Sequence, residues 1–301
     1  MKKTILTTIV LLASFLVFAL NVSTSILPYY YVSKEIVQEK GQVNLVVPPG
    51  KSPHTYSPTP KELVPLYESD ILITNGLALE IFISNLTKNL ENQGVKIIEV
   101  SDFIPREELI SMSGIDEDHE HEDFAYNPHI WLDPYNMYTY IIPGLVEVFG
   151  ELDPLNKDYY TQNAERYINR LILLDKYLAE KAKVIDGSIF TLHNSYDYLA
   201  RRYDIKIAGV IQLSPGVEPT PKQLVELTNV AKEENVKAIF NEPQLSDKAV
   251  NAVAENLNLS IGVLDPLGSV ERVFDLESLY IYNLFEIIRV VNYGYWSFNI
   301  R

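Results

Sequence analysis

Three histidines and one aspartate could meet to hold a metal ion. They are His54 in PPGKSPHTY, His129 in NPHIWLDP, His193 in TLHNSY and Asp265 in VLDPLG. Imidazole nitrogen and carboxylate oxygen are zinc ligands, and zinc usually takes four of them in a tetrahedron. The chain has 5 histidines in all, so three in such settings leave few for other uses. If the four meet, protein fills every position around the ion. That is the coordination of a binder, because a catalytic zinc keeps one position for water or substrate.

These residues need elements that bring them together. His54 follows an expected strand, Val43–Val47, on a loop stiffened by Pro48, Pro49 and Pro53. His129 opens the apolar run Ile130–Leu132, read as a short strand. His193 follows Ser188–Leu192, with a helix expected from about Asn194, and Asp265 follows Ser260–Leu264. Further strands are expected at Asn21–Ser25, Ile71–Thr74, Val95–Val100, Lys206–Ile211 and Val236–Asn241. Helical patterns separate them, among them Pro60–Ser69, with Thr59 as N-cap and Pro60 at its first position, and Leu79–Gln93. Strands alternating with helices imply βα units on a largely parallel sheet. In such sheets ligands bind beyond the carboxyl ends of the strands. Each half of the chain supplies two candidates, which suits a cleft between two lobes.

Pro154–Lys183 runs 30 residues without an internal Pro or Gly. Tyr160, Ala164, Tyr167, Leu171, Leu174 and Leu178 recur in it at spacings of three and four, the mark of one amphipathic helix. Such a helix spans about 45 Å, more than one small lobe needs, so it reads as a spine joining two. The expected class is therefore α/β. Residues 21–153 form an amino-terminal lobe, 154–185 a linking helix and 186–301 a carboxyl-terminal lobe, closed by a helix over Glu277–Val291.

Residues 1–20 read as an export signal or an uncleaved anchor: Lys2 and Lys3 precede an apolar run, Thr4–Leu20, with Val17 and Ala19 as small residues near its end. The chain is therefore expected outside the cytoplasm, close to a membrane. Its 25 basic and 40 acidic residues give a formal charge of −15, which argues against nucleic acid as a partner. With 0 cysteines there are no disulfides, thiolate ligands or lipidated cysteine. Asp116–Asp123, DEDHEHED, places His119 and His121 among acidic residues in a solvated loop able to bind divalent cations weakly.

Other chemistries lack their motifs. The chain has no G-x-S-x-G elbow, P-loop, Gly-rich dinucleotide fingerprint or H-E-x-x-H pair. Asp133 and Glu242 lie near strand ends and could act as bases. The milder reading makes Asp133 a cap beside Pro134 and Glu242 a supporting carboxylate.

Taken together, VPPGKSPHTYSPTPKELVPLYESDILITNGLALE, NPHIWLDP, TLHNSYDYLARRYDI and NEPQLSDKAVNAVA followed by VLDPLG resemble four blocks of one family. It is the zinc/manganese-specific family of solute-binding proteins of metal ABC transporters. The resemblance covers nearly the whole chain after the signal. It implies two α/β lobes on one long helix, with His54, His129, His193 and Asp265 at the four ligand positions. It also implies delivery of the metal to an ABC permease and its ATPase, no enzymatic activity, and a monomer. Histidine at the third position goes with zinc in this family, and imidazole suits zinc better than manganese. Asp265 leaves some affinity for Mn2+ or Fe2+. A zinc hydrolase, in which Asp265 acts on a bound water, is the alternative of a different class.

Overall fold

The computed structural model describes residues 19–112, 125–213 and 215–294. The bulk of the apolar run before β1 and the His119/His121 loop lie outside the described residues. The chain alternates strands and helices as far as β4: β1 Leu20–Thr24, α1 Leu27–Val37, β2 Gly41–Leu45, α2 Pro60–Tyr67, β3 Ile71–Thr74, α3 Ile81–Ser84, α4 Thr87–Asn92 and β4 Lys96–Glu99. Helices α5 Pro134–Asn136 and α6 Ile142–Leu152 flank a π-turn, Met137–Ile141, and lead to α7 Lys157–Ala182. Alternation then resumes with β5 Ser188–Thr191, α8 Asp197–Tyr203, β6 Lys206–Val210, α9 Pro221–Glu233, β7 Val236–Asn241, α10 Lys248–Leu257, β8 Ser260–Val263 and α11 Leu276–Tyr293.

Two four-stranded sheets result, in the orders β2-β1-β3-β4 and β6-β5-β7-β8, and every pairing in them is parallel. Both use the same winding. The chain goes one way from β1 or β5, then returns to the other side, opening a crevice at the carboxyl edge where the order reverses. Ile71–Thr74 and Ser188–Thr191 are buried throughout, as parallel strands covered on both faces must be.

The long helix is α7, 26 residues, about 39 Å at 1.5 Å per residue. A 3-10 turn, Pro154–Asn156, precedes it. Tyr160, Ala164, Tyr167, Leu171 and Leu178 are buried as the periodicity predicts, while Leu174 is only half-buried. The same stripe buries two polar residues that hydrophobic periodicity misses, Asn163 and Asp175. Asn163 donates to Ile36 O of α1 at 2.9 Å. Asp175 pairs with Arg202 of α8 and accepts from Tyr138 Oη at 3.0 Å. The helix is thus bonded to both halves. One continuous apolar core holds Val22 and Ile73 from the first sheet, Ile189 and Phe240 from the second, and the α7 stripe between them.

Two expected elements differ. Ile130–Leu132 is a 3-10 turn. Its polar backbone bonds locally, Ile130 N to Pro128 O at 2.8 Å and Leu132 N to His129 O at 3.2 Å. A fully buried apolar triplet between two prolines carries no periodicity to tell strand from turn. Leu79–Gln93 divides into α3 and α4. Ser84 Oγ donates to Ile81 O and Thr87 Oγ to Ile83 O, and hydroxyls bonding back to the backbone compete with continued helix. Thr59 does open α2, with Glu62 accepting from Thr59 N at 2.7 Å, a capping box. No helix among the described residues is long and apolar enough to cross a membrane.

Asp175 is buried, whereas Arg202 is partly exposed and also faces Asp133, so removing Asp175 chiefly loses its charged hydrogen bonds. Asp175→Ala is therefore expected to destabilise the protein by about 2 kcal/mol in denaturant unfolding. Asp175→Asn, which keeps the Tyr138 contact, should cost less. A loss below about 0.5 kcal/mol, the range of ordinary surface substitutions, would show that α7 does not depend on this pair.

Candidate metal centre

His54 is placed by two successive turns. The ladder of β2 runs on through Val46 N to Thr24 O and Val47 N to Ser25 O. Lys51 N then bonds Pro48 O at 3.1 Å around Pro49 and Gly50, whose φ is +79°. A type II turn with proline second needs φ > 0 at its third residue, hence glycine. The next turn closes through Thr55 N to Ser52 O at 3.2 Å, with Pro53 and His54 at its centre. His54 is half-buried.

His129 is buried at the head of the 3-10 turn. Asn127 fixes its ring. Asn127 Nδ2 donates to Asn194 O at 2.6 Å and to Asp197 Oδ2 at 2.9 Å. Its Oδ1 must then be the acceptor that lies 3.0 Å from His129 N and 2.8 Å from His129 Nδ1. The proton therefore sits on Nδ1, and Nε2 presents a bare lone pair. Pro128, just before, is held through its carbonyl by Asn75 Nδ2 at 2.9 Å.

His193 follows β5 directly and is buried. Its Nδ1 lies 2.8 Å from Glu242 Oε1, although the oxygen stands off the ring N–H direction, a close polar approach rather than an aligned hydrogen bond. Glu242, at the end of β7, is itself fixed by Ser195 Oγ at 2.9 Å. The carboxylate favours the proton on Nδ1 and again leaves Nε2 free.

The three Nε2 atoms converge. His129 Nε2 lies 3.2 Å from His54 Nε2 and 3.2 Å from His193 Nε2, and all three histidines offer ligand atoms within 4.8 Å of one another. Two nitrogens each about 2.05 Å from a tetrahedral zinc lie about 3.3 Å apart. The observed spacing is that of a coordination edge.

Asp265, the fourth expected ligand, is not in this group. Its Oδ1 accepts from Gln244 Nε2, Leu267 N and Gly268 N, and its Oδ2 from Ser269 N, Ser269 Oγ and Val270 N. A carboxylate offers about four lone-pair sites, so both oxygens are saturated. Asn283 of α11 grips the same residue's backbone from both sides. Asp265 thus winds the loop 266–270 around itself and spends its charge there. Asp133 caps α5 through Tyr135 N at 2.9 Å and faces Arg201 and Arg202. Burial raises its carboxyl to about 6.

Sequence reading passed over Asn127, Gln244 and Trp131. Trp131 donates to Pro266 O at 2.6 Å and packs its ring at a tilt against that of His129, centroids 5.3 Å apart. It ties the first half of the site to the loop after β8. Adjacency to His129 in N-P-H-I-W was the available signal for two of the three. Only the fold brings Gln244 near.

Burial, followed by the charge of His193, pushes His54 down to about 3. Burial, followed by His193 and His54, holds His129 well below the usual imidazole range. Both stay neutral, the form that binds metal.

The family model described as zinc-uptake complex component A, periplasmic, matches residues 22–288. The chain belongs to this family. The high-affinity zinc uptake system protein ZnuA of Bacillus subtilis is 31% identical over 261 residues, covering 84% of this chain and 80% of that one. A putative metal-binding protein of Thermotoga maritima is 32% identical over 272 residues, covering 89% and 91%. A zinc-bound ZnuA deletion mutant superposes with a TM-score of 0.77 at 27% identity, over 91% of this chain and 98% of that one. FpvC of Pseudomonas aeruginosa with Mn2+ gives 0.78 at 26% identity, over 91% and 98%.

In this zinc-uptake family member, the neutral histidines carry a stability signature. An unfolded histidine takes a proton near pH 6.5, while folded His54 stays neutral down to about 3. The unfolded state binds more protons between those values, so stability falls as pH drops through that window. Metal-free protein should lose stability between about pH 6.5 and 4. His54→Ala should flatten the slope by up to about 1.4 kcal/mol per pH unit. Denaturant midpoints measured against pH check this, and an unchanged slope would refute it.

Proposed function

We propose that this chain is the extracytoplasmic component of a metal ABC transporter, capturing Zn2+ in the cleft between its lobes and passing it to a membrane permease driven by an ATPase. One observation carries the reading. Three imidazole Nε2 atoms from different loops converge at coordination distance, two of them with their protons directed to the far ring nitrogen. An all-imidazole set favours zinc over harder cations such as manganese. The apolar run Thr4–Leu20 supports export and a working position at the outer face of a membrane. We divide the chain as residues 21–153, the helix 154–185 and residues 186–301.

The coordinating set we assign is His54, His129 and His193, with Asp265 supporting the wall of the cleft. The protein is not an enzyme in this reading. A zinc hydrolase needs a carboxylate free to work on bound water. Glu242 is engaged by His193 and Ser195, and Asp265 is saturated.

Competition titrations against a zinc chelator test the assignment. Deleting a ligand from a three-nitrogen set should cost more than the 10–100-fold typical of a supporting residue. His129→Ala and His193→Ala should exceed that range, and Asp265→Ala should fall within or below it. Near-normal zinc affinity in His129→Ala would sink the site. Zinc-dependent ester or phosphoester turnover by the wild type would sink the transport reading.

A further inference from the structure

A tetrahedral ion on three imidazoles has one more position to fill, and among the described residues no fourth His, Cys, Asp or Glu joins the group. Gln244 is a polar side chain in the wall of the same cavity. It sits in the turn Glu242–Leu245 after β7, closed by Leu245 N to Glu242 O at 3.3 Å, and it lines the same cavity as the three histidines and Trp131. The direction of its amide is settled by its neighbours. Nε2 lies 2.8 Å from Asp265 Oδ1, an oxygen already accepting two backbone N–H bonds, and 3.0 Å from Ser269 Oγ. Against a carboxylate only the NH2 end can serve, because two acceptors there would repel. Oε1 is therefore the other end. It is buried and has no hydrogen-bond partner in the protein.

An orphan buried acceptor costs about 1–3 kcal/mol and needs a donor. The two buried rings cannot supply it, since they hold their protons on Nδ1 and face the cavity with bare Nε2 atoms. The cargo can bring the donor in. A bare cation donates no hydrogen bond, but a water bound to it does, and strongly, because the ion polarises its O–H bonds.

We propose that Gln244 Oε1 accepts a hydrogen bond from a water molecule that completes the zinc shell, with Asp265 holding the amide in that orientation. This rests on the three-histidine zinc site proposed above. It gives Asp265 an effect on the metal without contact: Asp265 aims Gln244, and Gln244 aims the water. A neutral amide in that position accepts from the water without taking its proton, so the ion is held without generating a free hydroxide, which suits capture and release.

Three variants test it: Gln244→Leu, which removes both amide ends; Gln244→Glu, which keeps an acceptor oxygen and, sharing one proton with the facing Asp265 carboxylate as paired carboxyls do, keeps a donor toward it; and His129→Ala. Each is titrated with zinc and also loaded with cobalt(II), whose visible bands report the coordination shell and whose effect on solvent-proton relaxation reports an exchangeable bound water. Wild-type cobalt protein should show the exchangeable water. Gln244→Leu should bind zinc about tenfold more weakly and shift the cobalt bands, while Gln244→Glu keeps at least wild-type affinity. Thermal unfolding of Gln244→Leu establishes that it is folded, and Gln244→Glu keeps the test decisive if it is not. Three results would overturn the proposal: no exchangeable water in the wild-type cobalt form, wild-type affinity and bands in Gln244→Leu, or equal weakening in both Gln244 variants with unchanged bands, which would make Gln244 only an anchor of the loop. His129→Ala separates the two levels. If it still binds zinc normally, the metal site itself is misplaced. If it loses zinc while Gln244→Leu does not, only the role of Gln244 falls.

Discussion

Lone pairs that face one another across a buried gap are the constraint on which the rest of this structure depends. With the proton of His129 fixed on Nδ1, its Nε2 is an acceptor only, and it stands 3.2 Å from two other imidazole nitrogens. Two bare acceptors at that distance repel, so a proton or a cation must lie between them. Burial disfavours charging the rings, because a charged imidazole would lose its solvation. The arrangement is thus poised for a cation. Only a scaffold held together by other forces can keep it assembled.

Those forces are visible around the site. Trp131 spans from the 3-10 turn to Pro266, and Tyr280 of α11 donates to Trp131 O at 2.7 Å. Asn127 joins His129 to Asn194 and Asp197, next to His193. Behind them lies a core shared by both sheets and the α7 stripe. Large rigid-body opening would have to break this core. Local movement of exposed loops disturbs less of it, and His54, on a turn and half-buried, is the histidine of the cluster best placed to move.

The division of labour among acidic residues follows from what surrounds each. Glu242 meets His193 and Ser195 and holds the imidazole in place. Asp133 caps a helix and faces two arginines. Asp265 is enclosed by backbone N–H groups, including that of Gly268, whose φ of +92° lets the loop turn back on the carboxylate. All three lie near strand ends in sequence, and nothing in their residue type separates their tasks.

What the sequence determined by itself was whatever is written locally. Alternating apolar runs and helical stripes specify βα units. Thr59-Pro60 specifies a helix start, Pro49-Gly50 a turn, and the unbroken stretch after Pro154 a spine. Three of the five histidines, two of them directly after prolines, mark three candidate ligands, because few residue types bind zinc and few histidines were available. Tertiary structure alone decided the rest. Whether Ile130–Leu132 paired as a strand depended on neighbours far along the chain, and neither sheet takes it in. Asn163 and Asp175 could enter the buried face of α7 only because Ile36 and Arg202 meet them there. Above all, the task of Asp265 was set by distance. A carboxylate can bind a metal or accept backbone hydrogen bonds with the same lone pairs, and its place in the chain cannot say which partner arrives first. Here the loop from Leu267 to Val270 folds back onto it and takes up its lone pairs.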